Sequence, residues 1–214
     1  MEASSPPWNN PDAGIHPLPA DSGEVAASIR AAIRCMNRFP YLGLRFGARG
    51  DAFARTDSGY LASLVPNSHE YVVDQARWLA RVLASRGMPR WLMECHLDLL
   101  AEELNAALPE RRADFDKLGH AAAVLRAERQ AVIPQDAFDA LAAGFMERGG
   151  DLVENFGGLV VSAVCDESCG LEFAVPSLVG WADNDGRFPD HWRAALKELL
   201  DQARRRANPQ LLRP

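Results

Sequence analysis

The sequence predicts an all-α protein with a multi-helix bundle of about seven to nine helices. Three observations lead to this prediction. Apolar residues recur at spacings of three and four along most of the chain. Proline and glycine stand at the ends of these segments, as they do at the ends of helices. No two segments alternate apolar and polar residues as the strands of a hairpin would. A globin-like arrangement of the helices is the alternative.

The beginning of the chain differs from the rest in composition. Residues 1–21 are rich in Pro, Asn, Asp and Gly, which predicts a disordered or loosely docked tail. A single helical domain is expected over residues 22–214, or two subdomains at 22–130 and 131–214. Asp21 or Ser22 can cap the first helix, which should stop near Pro40. Its predicted apolar face consists of Val25, Ile29, Ala32, Ile33 and Met36.

Residues 67–108 predict a helical hairpin. Asn67 and Glu70 have the spacing of a capping box, Gly87 suits a helix C-terminus, and Pro89 suits the start of the next helix. The predicted core-facing stripe of the first helix is Tyr71, Gln75, Trp78, Leu79, Val82 and Leu83. That of the second is Met93, Leu97, Leu100, Leu104 and Leu108.

The remaining chain continues the helical pattern. Helices are expected over about residues 110–129, from Pro134 to Gly149, across 176–181, and from Pro189 onward. The segment GLVVSAVC, residues 158–165, fits either a helix or a buried strand. We favour the helix, because a lone strand would have no partner in this chain. The sequence DNDG at 183–186 predicts a turn.

Composition limits the function. The 214 residues carry a formal charge of −6, which argues against a protein whose main partner is nucleic acid. No apolar run reaches the roughly 18 residues that a membrane-spanning helix needs. The N-terminus lacks the pattern of a secretion signal, and four cysteines do not make a disulfide framework. A cytoplasmic protein of bacterial type is the expectation.

Several residues are candidate ligands. His96 lies beside Met93 and Cys95, residue types that ligate metals or haem iron. A histidine at the edge of the core, hydrogen-bonded to a neighbouring helix, is the favoured interpretation. The pair His120 and Asp116, four residues apart, suits a ligand pair or two solvated side chains, and His69 lies in a first helical turn. Cys165 and Cys169 suit a redox pair or, as we favour, two inert thiols.

Residues 38–64 interleave arginine, aromatic residues and glycine. An arginine cannot lose its charge at neutral pH, so a partly buried one needs a carboxylate or carbonyl partner. We therefore expect Arg45 and Arg49 to form a structural lock with Asp57, which can also cap a helix starting at Ser58. Gly47 should let the backbone turn.

The sequence YLGLRFGARGDAFARTDSGYLASL, followed by ARWLARVLASRGMP and LDLLAEELNAALPE, resembles a known helical module. This module precedes the cobalamin-binding domain in bacterial cobalamin-dependent sensor and regulator proteins. The resemblance covers about residues 38–109. It implies a helical bundle that packs over one face of a corrin. Tyr60 is followed by Leu61 where the family often has Tyr-His, and no cobalamin domain or lower-ligand motif is present.

These observations predict a non-enzymatic sensor or regulatory module. Its hairpin would line a pocket for a small-molecule ligand such as a tetrapyrrole, or a face for a partner protein, with self-association also open. The predicted ligand-binding residues are Tyr60, Trp78, Trp91 and His96. One alternative is a haem- or metal-dependent enzyme or gas sensor with His96 as the metal ligand. A second is a protein–protein adaptor without a ligand.

Overall fold

The computed structural model describes residues 18–184 and 186–208, and within these ranges the chain is all-α with no strand. The helices are α1 (Ser22–Arg38), α2 (Pro40–Ser63), α3 (His69–Ala84), α4 (Arg90–Ala107), α5 (Arg112–Gln130), α6 (Gln135–Gly149), α7 (Phe156–Ser168), α8 (Ala174–Ala182) and α9 (Asp190–Ala207). A 3₁₀ turn, Pro109–Arg111, precedes α5. The all-α, multi-helix prediction is confirmed. The predicted tail lies largely outside the described residues.

The chain divides into two compact units. The first unit comprises the chain up to Ala76 together with Cys95–Ala122, and the second comprises Arg77–Glu94 together with the chain from Ala123. The boundaries therefore fall inside α3, α4 and α5, and no boundary falls between residues 130 and 131.

Small side chains form the buried face of α1 in the first unit. Asp21 caps this helix as expected, since its carboxylate accepts the N–H groups of Gly23 and Glu24 at 2.7 and 3.1 Å. The predicted apolar face is only partly right, since Ala32 is buried, Val25, Ile29 and Met36 are half-buried, and Ile33 is 41% exposed. The buried apolar residues are Ala27, Ala31, Ala32 and Cys35. Small residues let α1 pack closely on α2, which is why the bulkier aliphatic residues point elsewhere.

The arginine-rich segment forms one kinked helix. Pro40 opens α2, where the missing N–H of proline costs no intrahelical bond. Gly47 turns the backbone with φ of 55° and ψ of −147°, a conformation that glycine adopts without strain. The predicted turn at Gly47 is therefore confirmed. The predicted helix start at Ser58 is wrong, since Asp57 and Ser58 lie in the interior of α2.

Helix α3 corrects two predictions. Its first turn is capped by Ser68, whose hydroxyl accepts the N–H of Tyr71 at 3.3 Å, and Asn67 instead donates to the carbonyl of Leu64. The predicted core stripe is also only partly right, because Leu79 is buried but Tyr71 and Trp78 are 46% and 54% exposed. The residues of α3 that the core buries are Val72, Val73, Ala76, Leu79, Ala80 and Ala84.

The other predicted stripes are confirmed, except that Leu108 is half-buried and lies just after the end of α4. The buried residues include Met93, Leu97, Leu100 and Leu104 on α4, Phe115, Leu118, Ala122 and Leu125 on α5, and Trp192, Ala195, Leu196, Leu199 and Ala203 on α9. Residues 158–165 are helical, as favoured, and α7 is buried from Phe156 to Asp166.

Helix α7 packs against α6, α8 and α9 in the core of the second unit. An aromatic cluster lies at this centre. Trp192 is fully buried, stacks on Phe188 with ring centroids 4.1 Å apart, and meets Phe145 and Phe156 at 5.4 Å each. Such pairs add to the hydrophobic free energy of burial.

Candidate functional site

His96, the predicted metal ligand, is buried in the first unit. Its Nε2 atom lies 2.8 Å from the hydroxyl oxygen of Ser58 on α2. Burial lowers the pKa of the imidazole to about 4, because removing a charged ring from water is unfavourable. The favoured interpretation at the sequence level, a histidine hydrogen-bonded to a neighbouring helix, matches this geometry.

The Nε2 atom of His96 is already engaged in this structure. To bind a metal through Nε2, His96 would have to give up the Ser58 hydroxyl and leave that group buried. Among residues 18–184 and 186–208, no group of three or more His, Cys, Asp or Glu side chains is arranged to hold a metal ion. The role of His96 as a haem or metal ligand stays a prediction.

Tyr60 also belongs to the first unit. Its hydroxyl donates to the side-chain carbonyl of Gln75 on α3 at 2.6 Å. Partial burial raises the pKa of this phenol. The bond fastens α2 to the first half of α3, so this side chain has a defined role in packing.

Trp91 lies in the second unit, at the first turn of α4. Its backbone N–H donates to the hydroxyl of Ser162 on α7 at 3.0 Å. Its indole lies against Gly158, where an added Cβ would come within 2.4 Å of the ring, and against Phe138 at 5.3 Å between centroids. Only glycine at position 158 leaves room for this indole.

The neighbouring Arg90 is bound by the same face of α7. Its backbone N–H donates to Asp166 Oδ2 at 2.9 Å, and its Nε lies 3.1 Å from Oδ1 as an ion-pair contact outside hydrogen-bonding geometry. Side chains of α7 thus bind the first two N–H groups of α4, which have no partner within the helix itself. Burial raises the pKa of Asp166 to about 6, although the Arg90 N–H and charge act to lower it.

A second buried ion pair stands one turn further along α4. Glu94 and Arg129 are 1% and 2% exposed and form two parallel bonds, Nε–Oε1 at 2.9 Å and Nη2–Oε2 at 3.0 Å. Arg129 also lies over the Phe138 ring, 4.4 Å from its centroid, and Nη2 donates to Gln135. Its Nη1 atom is buried without a hydrogen-bond partner among the described residues.

Trp78 is the most exposed of the four predicted ligand-binding residues. More than half of this residue, 54%, is accessible to solvent. Beside it on α3, Arg77 forms an ion pair with Glu128 at 2.7 Å, and Arg81 is exposed one turn further on. The four predicted residues thus divide between the two units, with Tyr60 and His96 in the first and Trp78 and Trp91 in the second.

The arginines of α2 stack on aromatic rings. Arg45 donates to the hydroxyl of Tyr41 and lies over the Phe46 ring, 4.8 Å from its centroid. Arg49 lies 5.5 Å from the centroid of Phe53. Cation–π contacts thus account for the interleaving of arginine with aromatic residues. The lock between these arginines and Asp57 stays a prediction.

Two further features belong to the second unit. Burial raises the pKa of the Cys165 thiol to about 12, with Asp166 adding to the effect, whereas Cys169 is exposed. An open groove of about 440 Å³ lies between α6 and α9. Its lining residues are Ala137, Ala140, Leu141, Gln202, Arg205 and Arg206. None of the predicted site residues lines it.

Sequence reasoning missed the polar face of α7. Gly158, Ser162 and Asp166 are spaced by four, which places a small, a hydroxyl and a carboxyl residue in one row along a helix. A row of this kind within an otherwise apolar helix is the signal that would have indicated a docking site for another helix end.

No protein-family model, curated protein or solved structure matches this chain. No described helix is both long and apolar enough to cross a membrane. The resemblance to the cobalamin-associated module stays a prediction, and the functional argument depends on the geometry of the chain itself.

Proposed function

We propose that this chain is a non-enzymatic regulatory module that docks a partner protein through the second half of α3. The observation that carries the proposal is the exposure of Trp78, at 54%. Tryptophan is the residue type most enriched among those that dominate binding energy at protein interfaces, and arginine is close behind. Trp78 is accompanied by the exposed Arg81 on the same helix.

The other predicted ligand-binding residues favour a partner docked on the surface and not a ligand bound in an internal pocket. His96 is bonded to Ser58, Tyr60 to Gln75, and Trp91 through its backbone to Ser162. A ligand seated on any of these residues would have to displace contacts that hold helices together. A partner on Trp78 displaces only water from its exposed part.

The test is a binding experiment with matched variants. The immobilised chain, Trp78→Ala and Met146→Ala are compared for proteins retained from the source cells, and each candidate is then purified and titrated. Met146 is the control, because it is 51% exposed on α6 of the same unit. We expect Trp78→Ala to weaken binding at least about 30-fold, the loss of about 2 kcal/mol typical of a central tryptophan. Equal affinities for the three chains would contradict the proposal.

Tetrapyrrole binding, which the resemblance implies, needs a separate measurement. Absorption spectra of the purified chain are recorded while cobalamin or haemin is added. A saturable spectral change that Trp78→Ala leaves intact would favour a ligand-sensing role elsewhere in the chain. A haemin signal abolished in His96→Ala would favour the haem alternative.

A further inference from the structure

Two exposed histidines, on α3 and α5 of the first unit, face each other. The ring centroids of His69 and His120 are 5.6 Å apart, with the ring planes at 80°. With metal–nitrogen distances of about 2.0–2.1 Å, two imidazoles on one tetrahedral ion have their centroids about 5 Å apart. The observed centroid separation is close to this value, and joint coordination requires the two rings to turn from their edge-to-face arrangement until one nitrogen of each points at the ion.

The backbone that carries His69 is fastened to α5 independently of the two rings. Lys117, one turn before His120, donates to the carbonyls of Val65 and Asn67 at 2.7 and 3.0 Å. Its charge is further balanced by Asp114 at 3.2 Å. Because Lys117 fixes the loop that precedes α3, the two imidazoles are held near each other before any ion binds. A ligand pair positioned in advance loses less conformational freedom on binding.

We propose that His69 and His120 bind a divalent transition-metal ion of the zinc class. Imidazole nitrogen suits Zn²⁺, Ni²⁺ and Cu²⁺, whereas Mg²⁺ and Ca²⁺ prefer oxygen ligands. With two protein ligands, the remaining positions belong to water, so the ion exchanges readily. The positive end of the α3 dipole lies near His69 and weakens the site, and the carboxylates of Glu70 and Asp116 nearby in the chain act against this effect.

Bound metal would link the start of α3 to α5. Lys117 joins the same two segments, so an ion would strengthen an existing connection within the first unit. An ion that binds the folded state in preference to the unfolded chain raises the temperature of unfolding. This inference is independent of the docking proposal, since it involves neither Trp78 nor the second unit.

The experiment is a titration of the full, untagged chain with ZnCl₂ by calorimetry, together with thermal unfolding in the presence of Zn²⁺ and of EDTA. The variants are His69→Ala and His120→Ala. The controls are His191→Ala, which removes another exposed imidazole, and Cys169→Ser, which removes the exposed thiol. We expect saturable binding of about one ion per chain and a metal-dependent rise in Tm.

Both alanine variants should lose at least tenfold in Zn²⁺ affinity together with the rise in Tm, while both controls retain them. The absence of saturable binding by the unchanged chain would overturn the proposal. Loss in only one of the two alanine variants would also overturn it, because the ligand would then be a single histidine. Retention of circular dichroism in each variant shows that the fold is intact.

Discussion

The two units bury polar groups in different ways. In the first unit, the buried imidazole of His96 meets the neutral hydroxyl of Ser58. In the second unit, two ion pairs have both members buried, Glu94 with Arg129 and Asp166 with Arg90. In the first unit, the buried carboxylate of Glu24 instead pairs with the partly exposed Arg111. A neutral hydrogen bond contributes about 1 kcal/mol, and a buried ion pair contributes little net free energy but is costly to break. The stability of the second unit therefore depends more strongly on keeping both members of each buried ion pair.

His96 in the first unit and Asp166 in the second should also respond to acid in opposite directions. Burial lowers the pKa of His96 from 6.5 to about 4, so stability from this group is present above pH 6.5 and is lost as pH falls toward 4. Burial raises the pKa of Asp166 from 3.8 to about 6, so stability from this group is present below pH 3.8 and is lost as pH rises through 6. Both groups act over nearly the same pH range.

The largest expected effect comes from breaking the buried pair on α4. Arg129→Met leaves the Glu94 carboxylate, which is 1% exposed, without its bidentate partner. Arg126, which is partly exposed and 4.0 Å from Glu94 Oε2, can compensate this charge only in part, and breaking a buried pair by removing one partner typically costs about 3–5 kcal/mol. Urea unfolding at neutral pH should show a fall of that size in the free energy of unfolding.

The matched control is the double variant Glu94→Met with Arg129→Met. Replacing both members of a buried pair by apolar residues is often neutral, so most of the lost stability should return. If the double variant is as unstable as the single one, packing of Arg129 over Phe138 matters more than its charge.

The next largest effect is expected in the pH dependence of stability that His96 causes. His96→Gln keeps a hydrogen-bonding group near Ser58 but cannot titrate. The unchanged chain should lose on the order of 3 kcal/mol relative to this variant as pH falls from about 6.5 to 4. Urea unfolding at several pH values over this range measures the difference between the two curves.

His191→Gln serves as the control, since it removes an exposed imidazole from α9. Its curve should follow that of the unchanged chain. Parallel curves for the unchanged chain and His96→Gln would show that the buried ring does not resist protonation. The claim that His96 makes the first unit sensitive to acid would then be wrong.

Most of the helices could be predicted from sequence because large apolar residues mark their buried faces. On α9, Trp192, Leu196 and Leu199 fall at helical spacing, and each is buried. The face of α1 was predicted less well because its buried residues are small. Alanine is common on exposed and buried faces alike, so Ala27 and Ala31 gave no signal that outweighed Ile33.

The polar contacts between helices could not be predicted from sequence patterns for another reason. Ser162 and Asp166 bind the N–H groups of Trp91 and Arg90, residues more than 70 positions earlier in the chain. Periodicity describes one segment at a time and contains no information about which distant helix end it meets. For His96, the local sequence predicted a hydrogen bond to a neighbouring helix, but it did not identify the partner, Ser58.

The smallest expected effect tests whether ionisation of the buried Asp166 destabilises the second unit. Asp166→Asn retains an oxygen that can accept the Arg90 N–H but carries no charge. As pH rises from about 4 to 6, the unchanged chain must ionise a carboxyl that is fully buried, whereas the variant does not. The variant should therefore gain about 2 kcal/mol relative to the unchanged chain over this range, measured by urea unfolding. A relative loss over the same range would mean that the charge of Arg90, and not burial, decides the ionisation of Asp166, and both units would then lose stability together in acid.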